Sequence, residues 1–264
     1  MNIRIASTLG WAYPVEKLVK LIESEEITGI EVWAEHVWKY KSSPQAIGKA
    51  KKEKNIEFTM HAASWDLNLC ALNSGIRKQS VQEIIRSVEL ALQIGANNIT
   101  FHPGKLTLES LEVSWHEELL FESLEKIYGK AKQEGVIMSL EMMEWKKKEF
   151  VIEPSCIKRL IKPFSPYIQT TFDIAHIPFH LDIFSIWRQM PDVSKIHISD
   201  ATDKILHLPL GDGDIGRETL NKFLYMDGIP VVIEGFDPSQ ELFALKKNLT
   251  YVKRNAKLLK EGIC

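Results

Sequence analysis

Cysteine is scarce in this chain of 264 residues. The three that occur, Cys70, Cys156 and Cys264, make no CxxC pair and leave one over, so a disulfide framework is not expected and a reducing compartment is. Long apolar runs are missing too. Nothing approaches the ~18 apolar residues of a membrane span, and the opening MNIRIAST enters a strand-like pattern without a signal-peptide core. The expectation is a cytoplasmic, soluble protein with no membrane partner. Charge of one sign is also absent: 33 Lys and Arg against 35 Asp and Glu give a formal −2. That balance gives no general pull toward nucleic acid, which is not favoured as a partner, although a local basic patch stays open. Finally, the first strand is followed by ASTLGWAYP, not by a GxGxxG phosphate loop. No linker or low-complexity stretch divides the chain, so residues 1–264 are read as one domain.

What is present is a regular alternation. Strand-like runs are read at 2–7, 29–34, 56–62, 97–102, 136–142, 168–175, 193–199 and 230–236. Helical patterns lie between them. Val15, Leu18, Val19 and Ile22 form one stripe after Pro14. Val81, Ile84, Ile85, Val88 and Leu92 form a longer one that should stop at Gly95, and the segment 108–134 should stop at Gly135. Further helical segments are expected at 154–164, 180–190, 218–226 and 239–261. Strands joined through helices pair in parallel by right-handed crossovers. Eight such units over this length predict a closed (β/α)8 TIM barrel, an α/β single domain.

In such a barrel chemistry sits at the C-terminal ends of the strands. The ends of strands three to eight supply His61, His102, Glu141, Asp173 with His176 just beyond, His197 and Glu234. Imidazoles and carboxylates converging on one rim suit a divalent ion such as Zn²⁺ or Mn²⁺, and charged groups in a barrel mouth must be paired or ligating. Other readings exist for single residues. His61 and His102 could be core histidines bonded to backbone, and Asp173 with His176 could cap a helix. His197 lies between Ile196 and Ile198 and points opposite to both, so it faces inward if they pack against helices. Trp11, Trp33 and Trp65 follow early strands and could wall a substrate pocket or simply pack under loops. The loop GDGDIG (211–216) reads as a turn opening the next helix, and the basic face of the last helix as solvated.

The segments MHAAS, FHPG, LEM, FDIAH, IHISDA, HLPLGDGDIG and VIEGF, in this order, resemble the xylose isomerase-like TIM-barrel superfamily, which includes sugar isomerases and epimerases and the apurinic/apyrimidinic endonuclease IV group. Its epimerase pattern implies one divalent ion (Mn²⁺, Co²⁺ or Zn²⁺) on Glu141, Asp173, His197 and Glu234. Glu141 and Glu234 would then transfer a proton through a metal-stabilised enediolate, with His176 orienting a substrate oxygen. The endonuclease pattern adds His61 and His102, which with Glu141 imply a second ion, and a third ion on His176 and an Asp-x-His. Here that tripeptide is Ile205-Leu206-His207, so only His207 matches, and Asp200, Asp203 or Asp212 would have to stand in for the aspartate. The substrate-contacting arginine of the epimerases is also absent, Asp203 and Lys204 standing in its place. The resemblance therefore implies one or two ions in preference to three. It implies a metal-dependent isomerase or epimerase acting on a sugar or sugar phosphate. A phosphodiesterase acting on abasic DNA is the alternative, with a dehydratase or a non-catalytic sugar- or metal-binding barrel as further ones.

Overall fold

Residues 2–22 and 26–260 are described by a computed structural model; Cys264 and the final residue of the expected 239–261 helix, Glu261, lie outside the described residues. The eight strands are β1 (Ile3–Ala6), β2 (Ile27–Trp33), β3 (Glu57–His61), β4 (Asn98–Phe101), β5 (Ile137–Glu141), β6 (Ile168–Asp173), β7 (Val193–Ile198) and β8 (Val231–Ile233). All neighbours pair in parallel, and β8 closes onto β1, giving the expected barrel in sequence order. Seven of the strands are shorter than the runs read from sequence, because pairing stops where the loops diverge, while β2 begins two residues earlier than the run read at 29–34. His102 and Glu234 therefore stand one residue past β4 and β8.

The helices are α1 (Val15–Leu21), α2 (Ala34–Tyr40), α3 (Pro44–Lys54), α4 (Ser74–Ile94), α5 (Val113–Glu134), α6 (Pro154–Ile161), α7 (Ile183–Trp187), α8 (Arg217–Leu224) and α9 (Phe243–Lys260). Gly95 and Gly135 end α4 and α5 at φ of 72° and 67°, the left-handed cap that glycine adopts without strain. The α4 stripe drifts from the expected one: Val81, Ile84 and Val88 are buried, but Ala91 and Ile94 continue the face while Leu92 is 39% exposed. Neither α2 nor α3 was expected. α3 carries five lysines or glutamates in its last six residues and buries only Ile47 and Ala50, so its apolar stripe is too narrow to read. The expected 180–190 segment holds only the single turn and a half of α7.

Period-two alternation divides each strand between two environments. In β7, Ile196 and Ile198 join the apolar layer beneath the helices, whereas Lys195 and His197 contact Glu31, on β2, across the barrel. His197 thus faces inward, as expected. The interior is polar for a packed barrel. Arg4, Glu31, Thr59, Thr100, Ser139, Thr171 and Lys195 are all buried, and Thr100 and Thr171 hydroxyls bond at 2.8 Å. No described helix is long and apolar enough to cross a membrane.

Candidate metal centre

Above that polar interior the strand ends converge. Glu141, the last residue of β5, stands at the centre and is 1% exposed. Its Oε2 lies 3.0 Å from His102 Nε2 and 3.6 Å from His61 Nε2. Its Oε1 lies 3.3 Å from His197 Nδ1 and 3.9 Å from His176 Nδ1. Glu234 Oε2 is 2.8 Å from His197 Nδ1. Three sets of ligand atoms lie within 4.8 Å of one another: His61, His102 and Glu141; Glu141, Asp173, His197 and Glu234; and Asp173, His176 and His207.

The rings are set by backbone. His61 shares its Nδ1 with Ala62 O at 2.8 Å and stacks on Trp33, centroids 3.8 Å apart, so Nε2 is the nitrogen turned to Glu141. His176 Nδ1 lies 2.9 Å from Met142 O, and its Nε2 is 3.5 Å from Asp173 Oδ2. Asp173 combines two of the roles considered from sequence. Its Oδ1 accepts from Ala175 N at 2.7 Å and caps the turn 174–176, while Oδ2 has no hydrogen-bond partner.

Electrostatics follows from crowding. Burial opposes a charged His197, yet Glu31, Glu234 and Glu141 outweigh it and hold the ring well above the ordinary histidine range. Burial likewise opposes His176, but Asp173, Glu141 and Glu144 raise it to about 9. Burial raises Asp173 above the ordinary carboxylate range, His176 and His207 pull it back, and the negative charges of Glu234 and Glu141 raise it again. Glu234 is lowered to about 2 despite its burial, by His197 and His207. Protons therefore supply the positive charge that this cluster needs, and a divalent cation would displace them.

The donor set fits such an ion. His61 Nε2, Glu141 Oε2, Asp173 Oδ2, His197 Nδ1 and Glu234 Oε2 are buried atoms that approach one another or His102 to as little as 2.8 Å without the angles of a hydrogen bond. Buried polar atoms are normally satisfied; five orphans aimed at one region, in a mixture of imidazole and carboxylate, match the ligands of Zn²⁺, Mn²⁺ or Co²⁺.

The centre opens into a cavity of about 460 Å³ lined by Thr8, Trp33, Ser64, Trp65, His102, Glu141, Met143, Glu144, Glu149, His176, His207, Glu234, Gly235 and Phe236. Trp33 and Trp65 are thus in the wall; Trp11 is buried behind it, 5.0 Å from Trp65 and 5.4 Å from Phe236 between ring centroids. Lys204 is exposed and does not line the cavity. Nor do the stand-in aspartates reach the cluster. Asp200 is occupied, accepting from the amides of Ala201, Gly211 and Ile215, and so folds the GDGDIG loop around itself. Gly213 is required there, since a Cβ would meet Ala201 O and Asp200 Oδ1 at 2.4 Å. Asp212 pairs with Lys247 at 2.5 Å and Asp203 is exposed. The carboxylate beside His176 and His207 is Asp173. The reading from sequence also missed Glu144, Glu149 and Phe236, which come from loops without strand periodicity, and Glu31 and Lys195 below the centre.

The family's sequence profile, described as a xylose isomerase-like TIM barrel, matches residues 19–262. The chain belongs to that family. Among relatives, an uncharacterised protein of Methanocaldococcus jannaschii is 22% identical over 218 residues, spanning 81% of this chain and 80% of its own length. A probable endonuclease 4 of Acholeplasma laidlawii is 26% identical over 209 residues, 69% of each chain. Among solved structures, a D-tagatose 3-epimerase-like protein superposes over 100% of both chains with a TM-score of 0.81 at 22% identity, a likeness that speaks for the fold.

Proposed function

We propose that this barrel is a divalent-metal-dependent isomerase or epimerase of a neutral, sugar-like substrate. The observation that carries the reading is the composition of the cavity. Two carboxylates of the cluster, Glu141 and Glu234, face it; Trp33, Trp65 and Phe236 wall it; and no lysine or arginine lines it. Aromatic faces suit the C–H faces of a sugar ring, whereas a phosphate would meet Glu141, Glu144, Glu149 and Glu234 with no lysine or arginine among the lining residues.

An ion held by Glu141, Asp173, His197 and Glu234 would supply Lewis-acid polarisation of a substrate carbonyl and its neighbouring hydroxyl. Glu141 and Glu234 take the proton-transfer roles, one removing a proton from carbon and the other returning it. His176, with Nδ1 anchored on Met142 O, presents Nε2 toward the cavity to orient a substrate oxygen. The aromatic wall limits water at the reacting carbon.

The second ligand set, His61, His102 and Glu141, favours one further reading. Single-ion proton transfer does not require it, and a paired-ion phosphodiesterase does. We propose one or two ions in preference to three, because Glu141 can give one oxygen to each of two sets, whereas Asp173 has only Oδ2 left to share, its Oδ1 accepting from Ala175 N. Elemental analysis and two assays test the choice. Purified protein should bind one or two Mn²⁺, Co²⁺ or Zn²⁺ and exchange solvent deuterium into a ketose or related keto sugar, an exchange lost in Glu234→Gln. Three bound zinc ions with nicking of abasic duplex DNA, and no deuterium exchange across a ketose panel, would overturn the proposal in favour of the endonuclease.

A further inference from the structure

We infer that Glu31 is the positioning residue of His197: fixed from below by Lys195, its carboxylate holds the Nε2 side of the ring, so that Nδ1 is presented as a ligand. The inference rests on the reading of His197 as a metal ligand. It assigns work to a charge pair that the proposed chemistry leaves unused.

Glu31 and Lys195 are both 0% exposed, in the middle of β2 and β7. The Lys195 ammonium donates to Glu31 Oε2, to Thr100 Oγ1 at 2.8 Å and toward Met60 O at 3.4 Å. All three of its hydrogens are engaged, so it cannot swing away, and Thr100 is itself braced by Thr171 at 2.8 Å. Glu31 Oε2 is thereby pinned. Its other oxygen, Oε1, has no hydrogen bond elsewhere and lies 2.8 Å from His197 Nε2, which has none either. On the far side of the same ring, Nδ1 stands 2.8 Å from Glu234 Oε2 and 3.3 Å from Glu141 Oε1.

A neutral imidazole can give a lone pair at Nδ1 only if its hydrogen sits on Nε2. A carboxylate beneath Nε2 selects that tautomer, fixes the ring plane and raises the basicity of Nδ1. Lys195 makes the arrangement tolerable, since an unpaired carboxylate at this depth would be strongly unfavourable. A purely structural ion pair would need Lys195 and Glu31 but not the approach of Oε1 to Nε2.

The test separates positioning from folding. Glu31→Leu/Lys195→Met removes both charges together, leaving no uncompensated ion in the interior. Affinity for Co²⁺ is measured by chelator competition, with the visible spectrum of the bound ion and the melting temperature of metal-free protein recorded alongside. The expected result is a melting temperature close to that of the wild type, a Kd for Co²⁺ raised about 10–100-fold and an altered spectrum. Glu31→Gln/Lys195→Met, which keeps an oxygen acceptor, should show a smaller rise. Wild-type Kd and spectrum in the Leu/Met variant would overturn the inference while leaving the metal reading intact. Should that variant fail to fold, the Gln/Met variant decides in the same way: a raised Kd supports the inference and an unchanged one overturns it. Failure of the wild type itself to bind Co²⁺ would remove the metal reading and this inference together.

Discussion

Two residues along the same strands separate two layers of the barrel interior. In the lower one, Lys195 lies against Glu31 and Thr100, and Thr100 against Thr171. In the upper one, His197, His102 and Asp173 occupy the next inward positions, and there six buried nitrogen and oxygen atoms of the cluster lack a hydrogen bond, against Glu31 Oε1 and Thr59 Oγ1 in the lower. Both layers take charge out of water, which is costly unless compensated. In the lower layer Lys195 compensates Glu31 through Oε2, and only Oε1 is left to turn toward His197 Nε2 above. The upper layer is left short of positive charge, which only protons or a cation can bring. The difference separates a self-paired layer from one whose donor atoms could hold a metal ion.

The comparison breaks most visibly in turnover. Glu141 belongs to two ligand sets, so Glu141→Ala should lower kcat/KM about 10³-fold or more and reduce bound metal in the same preparation; turnover within tenfold of wild type would detach the upper layer from catalysis. Stability comes next. Lys195→Met strands Glu31 in the interior and should cost about 3–5 kcal/mol in urea unfolding of metal-free protein. Asp173→Asn keeps the Oδ1 cap on Ala175 and trades relief of burial and of repulsion from Glu234 and Glu141 against lost attraction to His176 and His207, so its cost should stay below that of Lys195→Met, at about 1–2 kcal/mol. Equal losses in the two variants would erase the distinction between the layers.

The pH dependence sharpens it further. His176 is raised to about 9 in the fold against an ordinary 6.5. Its contribution, about 3 kcal/mol at the conversion of ~1.4 kcal/mol per pH unit, is complete below pH 6.5 and lost as pH rises through 9. Metal-free protein should therefore lose urea resistance between pH 6.5 and 9, and saturating metal should suppress the loss, because the ion replaces the protons. A flat profile in metal-free protein would contradict it. Glu234, lowered to about 2, acts in the opposite direction: its contribution is present above pH 4.5 and lost as pH falls toward 2. The smallest effect belongs to the wall. Trp65 is 47% exposed, so Trp65→Ala should move stability by about 0.5 kcal/mol or less while raising KM several-fold, by about 0.5–1.5 kcal/mol of lost stacking. An unchanged KM would remove Trp65 from the substrate wall.

The barrel and the upper layer were legible in the sequence because each of strands three to eight carries a titratable side chain at its last residue or one position to either side of it, behind an apolar run. Glu31 and Lys195 were not read, since neither ends a strand. The alternation that places His197 inside also places Lys195 inside, and stepping two residues back from Trp33 reaches Glu31. The same step from His102 and Asp173 reaches Thr100 and Thr171, so period two carried the lower layer as well. Asp173 as partner of His207 was beyond reach, because it depends on how the loop after β7 folds around Asp200. Helices α2 and α3 were missed because the first starts directly at the end of β2 and the second buries too little to leave a stripe.

Glu141 offers one oxygen to each side: Oε2 to His61 and His102, Oε1 to His197 and His176. Were both sides to hold an ion, as the two-ion reading has it, their occupancies would be thermodynamically coupled through a single carboxylate. Whatever ion is drawn to one oxygen withdraws electron density from the other, and by reciprocity the effect on affinity is the same in both directions. Loading of the two sites should follow a cooperative isotherm, not two independent ones, its sign set by whether the first ion's ordering of Glu141 outweighs its repulsion of the second.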